Sequence, residues 1–218
     1  MASIRYATEA DACAIANLNI IGFQPAPLYR NLFRGIDPLT ALPMKLCLCY
    51  DKLSDPKVHL LVATDPTSNQ ILGCARWRIP DPNGRSEMVL SDEARAKAAL
   101  AQTSEVHPAG MNVAVYEACL KALGETRGRH VREDDIVLEL LLTHPQHQGK
   151  GVGKALLDWG VRKADQKNAR IYLEATPEGY PLYRKYGWRD VGELVMDFSL
   201  YGGEGDARYV VMIRKPGN

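Results

Sequence analysis

The sequence predicts an α/β domain: a mixed central sheet flanked by helices, with a helical insertion after an early hairpin. Three observations carry this. The run IVLELLL (136–142) is almost continuously apolar, as a central strand covered on both faces requires, and passes through the glycine-rich THPQHQGKGVG into KALLDWGVRKADQK, whose Ala155, Leu156, Trp159 and Ala164 form a helical stripe. VHLLVA (58–63) and ILGCARWRI (71–79) are strand-like and flank a turn-rich spacer, the pattern of an antiparallel hairpin. The last third adds a strand, a short helix and a final pair of strands. The two halves do not repeat, and the whole of 1–218 reads as a single domain.

Taken in order, SIRYA (3–7) is the first strand, and Thr8 precedes Glu9, Ala10 and Asp11 as an N-cap. Ala12, Ile15, Ala16 and Leu18 then form the apolar face of a helix reaching Ile21. From 22 to 43, Pro25, Pro27, Pro38 and Pro43 punctuate short apolar clusters, which predicts broken helices or an ordered loop. Gly73 in the hairpin marks a bulge or a close backbone approach, and Arg76 and Arg78 alternate around Trp77, so the arginines and the indole face opposite sides. DPNGR (81–85) opens an excursion to Asp134 in which 91–102 and 113–122 are helical, an insertion on the sheet and not a second domain. ARIYLEA (169–175) is the next strand. PEGYPLYRKYG begins a short helix that Gly187 ends, and Trp188 introduces strands at about 190–200 and 207–213.

The chain has 218 residues, 46% hydrophobic, and its 27 Lys and Arg face 26 Asp and Glu, so a net charge of +1 supplies no global field for nucleic acid. No apolar run reaches the roughly 18 residues of a membrane span, and MASIRYATEADACAIANL lacks a signal peptide's apolar core. Membrane association and conventional secretion are therefore not expected. Five cysteines, an odd number, suit a reducing compartment: the cytoplasm, with the nucleus as a second possibility. Cys47 and Cys49 would share one face of a strand, but no second pair or nearby His completes a metal set, so they read as structural thiols. A monomer or a homodimer fits this composition equally.

Gln148, Gly149, Lys150, Gly151, Val152 and Gly153 lie between a buried strand and a helix, where small residues let backbone N–H groups converge on an anion at the positive helix end. An ordinary tight turn is the alternative. The run is not a nucleotide P-loop, since Lys154 is followed by Ala155, nor a dinucleotide fingerprint, since it lies late in the chain.

The order of these elements from Ile4 to about Ile213, with Gln148, Gly151 and Gly153 matching Q/R-x-x-G-x-G/A and PLYRKYGW following, resembles the GNAT superfamily of acetyl-coenzyme A dependent N-acetyltransferases. The resemblance implies acetyl-coenzyme A as cosubstrate. It implies that the amides of Gly149, Lys150, Gly151, Val152, Gly153 and Lys154 bind the coenzyme pyrophosphate, and that Leu140, Leu141 and Leu142 line the pantetheine arm. It also places Tyr183 near the sulfur as donor to the departing thiolate, while Tyr186 packs the helix against the sheet. A phenol with pKa about 10 is protonated at neutral pH and suits that role within about 3 Å of the sulfur.

Glu139 interrupts an apolar strand and has two readings: base for the acceptor amine, or satisfied salt-bridge carboxylate. His144, His147 and Glu174 are lesser candidates; Lys150 and Lys154 could neutralise phosphate; Phe23, Tyr29 and Phe33 could line an acceptor cavity. The expected reaction is acetyl transfer to the primary amine of a small molecule by direct attack in a ternary complex. A peptide or protein amine is the alternative acceptor, and a non-catalytic coenzyme A binding module the alternative class.

Overall fold

The computed structural model describes residues 2–81 and 88–217. Its strands are β1 (Ser3–Tyr6), β2 (Val58–Thr64), β3 (Ile71–Arg78), β4 (Ile136–Thr143), β5 (Ile171–Ala175), β6 (Arg189–Asp197) and β7 (Asp206–Arg214). They form one seven-stranded sheet in the order β1-β2-β3-β4-β5-β7-β6. Neighbours are antiparallel except β4 and β5, which run parallel and pair only at Ile136–Ile171 and Val137–Tyr172. Beyond those pairs the two strands part. The sheet is therefore split from its middle toward the C-terminal ends of β4 and β5.

The helices are α1 (Ala12–Phe23), α2 (Pro27–Leu32), α3 (Leu42–Ser54), α4 (Asp92–Leu100), α5 (Val113–His130), α6 (Val152–Gln166) and α7 (Tyr180–Lys185). The region 22–43 does contain broken helix, but α3 is a full helix that the prolines concealed. Pro43 stands in its first turn, where a missing N–H costs no hydrogen bond, and Asp37 starts the preceding 3-10 turn by accepting from the Leu39 N–H at 2.9 Å. Cys47 and Cys49 consequently lie on a helix and not on a strand, so spacing by two does not put them on one face. α5 runs eight residues past the 113–122 expected: Asn112 caps it by accepting from the Val115 N–H, and Arg127, Arg129 and His130 occupy its last turn. The expected turn at 82–85 lies outside the described residues.

α6 covers one face of the sheet, packing Leu156, Leu157 and Ala164 against Leu61, Trp77 and Leu138. Trp77 is wholly buried and Gly160 is what admits it: a Cβ there would stand 2.2 Å from the indole. Gly73 serves the same purpose in β3, since its Cβ would lie 2.6 Å from the Leu142 carbonyl oxygen and 2.8 Å from Val152; a register shift in the hairpin falls beside it. On the other face α1 and α3 set Ile15, Leu18, Cys49 and Leu53 against Leu60, Val62, Cys74 and Leu142. α2 and α5 continue that layer over β6 and β7, with Tyr29, Phe33, Met111 and Cys119 against Met196 and Phe198. No described helix is long and apolar enough to cross a membrane.

Candidate active site

The bulge in β4 organises the site. Arg76 of β3 faces Leu140 and its neighbour Trp77 faces Leu138, so Glu139 is the extra residue. Ile136, Leu138 and Leu141 pack toward α6, while Leu140 and Leu142 pack toward α1 and α3. Because β5 has already parted from β4, the edge carrying Leu138 to Thr143 is open to the splay. Leu140, Leu141 and Leu142 thus lie on the lip of the split.

At the end of that lip, Gly149 (φ 73°) and Gly151 (φ 81°) take the left-handed conformation, and Gly151 caps α6. The first intrahelical bond runs from the Ala155 N–H to the Gly151 carbonyl at 3.0 Å. The N–H groups of Val152, Gly153 and Lys154 therefore have no acceptor within the helix and point out of its start. Gly153 also packs closely, its Cβ position being 3.3 Å from Thr143 Oγ1. Gln148, Gly149 and Lys150 are exposed. Lys154 is exposed and tied to Asp158 at 2.9 Å, which leaves Lys150 the less encumbered cation. His144 accepts from the Gln146 N–H through Nδ1 at 3.3 Å and so caps the short turn Pro145–His147; His147 stacks edge-on against it.

Tyr183 sits on α7, buried against Trp188 at 5.8 Å between ring centroids. Gly179 makes room for it: a Cβ there would lie 2.9 Å from Tyr183 Cε2. Burial raises the Tyr183 pKa, so the phenol keeps its proton throughout the neutral range. Tyr186 packs against the core cluster that the sheet and α6 share, and its hydroxyl donates to Asp158 of α6.

On the opposite side of the split lies an ionic network that the sequence does not announce. Glu139 accepts from Arg76 Nε at 2.8 Å and from Arg78 Nε at 2.9 Å, and Arg78 continues to Asp55 at 3.0 Å. Arg127 of α5 grips Glu174 through two bonds of 2.8 and 2.9 Å, and its Nη1 lies 3.8 Å from Glu139, bridging β4 to β5 across the gap. Tyr172 donates to Glu174 at 3.0 Å. The two glutamate side chains are 7% exposed, whereas Arg76, Arg78 and Arg127 are 26%, 33% and 31% exposed, so the carboxylates form the floor and the guanidinium groups the surface. Burial alone would raise the Glu139 pKa, but the charges of Arg76, Arg78 and Arg127 outweigh it and hold this carboxyl below its ordinary value. Both Glu139 oxygens are engaged, as the salt-bridge reading requires.

Residues 96–197 match the family model described as an acetyltransferase (GNAT) domain. The match spans a little under half of the chain, from α4 to the end of β6, and takes in the glycine loop, α6 and α7. Acetyl transfer from acetyl-coenzyme A is the chemistry that this domain match supports. An acetyltransferase of Stachybotrys chartarum is 25% identical over 197 residues, covering 88% of this chain and 82% of that protein. The fold recurs in a histone acetyltransferase and related acetyltransferase from Corynebacterium glutamicum (22% identity, TM-score 0.62, 100% of this chain and 97% of that one). It recurs also in a mosquito arylalkylamine N-acetyltransferase like 5b (14% identity, TM-score 0.61, 99% and 100%). A Thermoplasma acidophilum N-acetyltransferase solved with coenzyme A shares it at 13% identity and TM-score 0.51, over 99% of each chain. In this chain the leucine lip and the glycine loop follow one another along the split edge of β4, and the α6 start presents backbone N–H groups that have no intrahelical acceptor. Glu139 and Glu174 lie across the split in ion pairs. Arg127 was not legible because it falls in the part of α5 beyond the expected end.

Proposed function

We propose that this protein acetylates the primary amine of a small molecule, by direct attack of the amine on acetyl-coenzyme A in a ternary complex. The observation that carries the reading is the contact between the segment 22–43 and the insertion. The Asn112 N–H, at the start of α5 within the insertion, donates to the Leu32 carbonyl at 2.9 Å, and the Asn112 side chain donates to the Tyr201 carbonyl at 3.0 Å. The segment 22–43 and the insertion are thereby joined into one wall beside the Arg76–Glu139–Arg127 network. A wall of this kind suits an enclosed ligand better than an extended peptide, which needs an open edge with free backbone groups. The relatives' names point both ways, to histone and to arylalkylamine, so they do not choose the acceptor.

In this reading the amides of Gly149 to Lys154 hold the pyrophosphate, Lys150 adds charge beside it, and Leu140, Leu141 and Leu142 border the pantetheine arm. The acceptor nitrogen forms the new N–C bond, the C–S bond breaks, the amine gives up one proton and the coenzyme thiolate gains one. Tyr183, with its pKa raised by burial, holds its proton and stabilises the departing thiolate by donating a hydrogen bond. Glu139 is a positioning residue here. A carboxylate already shared by two guanidinium groups is a weak proton acceptor, and its work is to fix Arg76 and Arg78 on the cleft surface. Those cations depress the pKa of an ammonium group entering beside them and so favour the neutral amine that attacks.

The test is release of free thiol from acetyl-coenzyme A with a panel of small primary amines and with N-terminal and lysine-bearing peptides. Small amines are expected to give the larger kcat/KM. Peptides turning over faster would move the assignment to a protein amine, and cosubstrate binding without any turnover would make the chain a coenzyme A binding module.

A further inference from the structure

The ionic network balances: Arg76, Arg78 and Arg127 face Asp55, Glu139 and Glu174. Lys45, on α3 at the same side of the sheet, is left over. It forms no ion pair or hydrogen bond among the described residues; its ammonium lies 5.3 Å from the centre of the Tyr29 ring. The Tyr29 side chain is only 4% exposed, and its hydroxyl is buried with no hydrogen-bond partner among the described residues. A buried hydroxyl without an acceptor is costly, and beside it stands a charge with no ion-pair partner among the described residues.

Lys45 is only partly buried by surface area, yet enough protein surrounds its ammonium for desolvation, aided by the charge of Arg76, to lower its pKa to about 8. The ammonium is closely surrounded, partly open to solvent and still charged at neutral pH. Its neighbours place it. Arg76, whose charge reaches it, is the residue that pairs with Glu139 at the β4 bulge, and Cys119, whose thiol also interacts with it, projects from α5 near Arg127 and Glu174. The uncompensated cation therefore belongs to the acceptor side of the split.

We infer that Lys45, together with the Tyr29 hydroxyl, binds a carboxylate on the acceptor, so that the preferred substrate is a small amine that also carries a carboxylate. The inference rests on the amine acetyltransferase reading above and narrows its substrate class. A carboxylate accepts hydrogen bonds from both donors and neutralises the Lys45 ammonium. A charge-assisted contact of this kind is worth on the order of 10- to 100-fold in kcat/KM.

Two measurements decide it. The first compares amino acids and ω-amino acids with their carboxamides and with the corresponding alkylamines. The carboxylate form is expected to lead by at least about 10-fold, Lys45→Met to abolish that lead mainly through KM, and Lys45→Arg to keep part of it. The second needs no turnover: calorimetry of aliphatic carboxylates lacking an amine, against their amides, on wild type and Lys45→Met loaded with coenzyme A. Binding of the carboxylate alone, lost in Lys45→Met, supports the site even if no amine is acetylated, in which case only the amine reading falls. Turnover of amines with no carboxylate advantage, or carboxylate binding untouched by Lys45→Met, overturns the site and leaves the amine reading standing. A phosphate-bearing amine outrunning every carboxylate would also overturn it.

Discussion

On the α6 side of the split the proposed binding groups are backbone amides from one contiguous stretch, 149–154, whereas on the α5 side they are side chains gathered from α2, α3, β3, β4, α5 and β5. The first arrangement needs only two left-handed glycines and a helix start, and it offers the same donors whatever side chains surround it. The second depends on ion pairs between residues such as Arg76 and Glu139, 63 positions apart, and leaves Lys45 as a surplus charge. A side that must hold one constant cosubstrate can be built from backbone. A side that must recognise a particular acceptor is built from side chains.

Substitutions that separate the two sides sharpen this contrast. Tyr183→Phe keeps the ring volume and removes the donor, so kcat is expected to fall on the order of 100-fold while acetyl-coenzyme A affinity, followed by calorimetry, stays within about 2-fold. Gly151→Val forces a β-branched residue to φ 81° at the α6 cap and should weaken acetyl-coenzyme A about 30-fold, leaving the stability of the α5 side unchanged. Glu139→Gln strips the anion from beneath Arg76 and Arg78. Breaking a buried pair costs about 3–5 kcal/mol, but the arginines are a quarter to a third exposed, so about 2 kcal/mol is expected in urea unfolding at pH 7. Because the fold lowers the Glu139 pKa, its contribution is complete above the unfolded value of about 4.3 and disappears as pH falls through the folded one; the gap between variant and wild type should close in acid.

Lys45 has the opposite sign. Its pKa falls to about 8 in the fold, so between there and the unfolded value of about 10.4 the unfolded chain binds more protons and stability rises with pH. Lys45→Met is therefore expected to be more stable than wild type by about 1 kcal/mol at pH 7, the advantage vanishing by about pH 10. A destabilised Lys45→Met would mark the lysine as structural. The smallest effect is expected from Gly179→Ala, whose methyl group presses on the Tyr183 ring: a loss of kcat of about 3-fold that is absent in the Tyr183→Phe background.

Features generated by contiguous residues were readable in the sequence. The apolar run of β4, the glycine loop and the α6 stripe follow one another directly, the β2–β3 hairpin is local, and the opposite facing of Trp77 and its flanking arginines follows from strand alternation alone. Punctuation misled where its position within the element mattered. Pro43 reads as a break but occupies a first turn, and α5 runs on past 122 through Gly124 and Gly128, where an added Cβ would meet nothing within 4 Å. Lys45 and Arg127, the two residues that most alter the picture of the acceptor side, both lie in stretches obscured in this way. The bulge at Glu139 has no local mark at all, since it is a property of the β3–β4 register and not of either strand alone. Hence the sequence left two roles open for Glu139, and only the long-range arginines bring the ion pair into view.

The central claim is that the split between β4 and β5 brings acetyl-coenzyme A and a small amine together for direct transfer, with Tyr183 serving the leaving thiolate. Single-turnover mixing of purified protein with acetyl-coenzyme A and small primary amines, following thiol release and N-acetyl product together in wild type and Tyr183→Phe, tests it most directly. One thiol for each N-acetyl amine, without an acetylated protein intermediate and with the rate lowered on the order of 100-fold in Tyr183→Phe, is the result expected. Equal rates in the two proteins, or acetyl-protein accumulating before product, would contradict it.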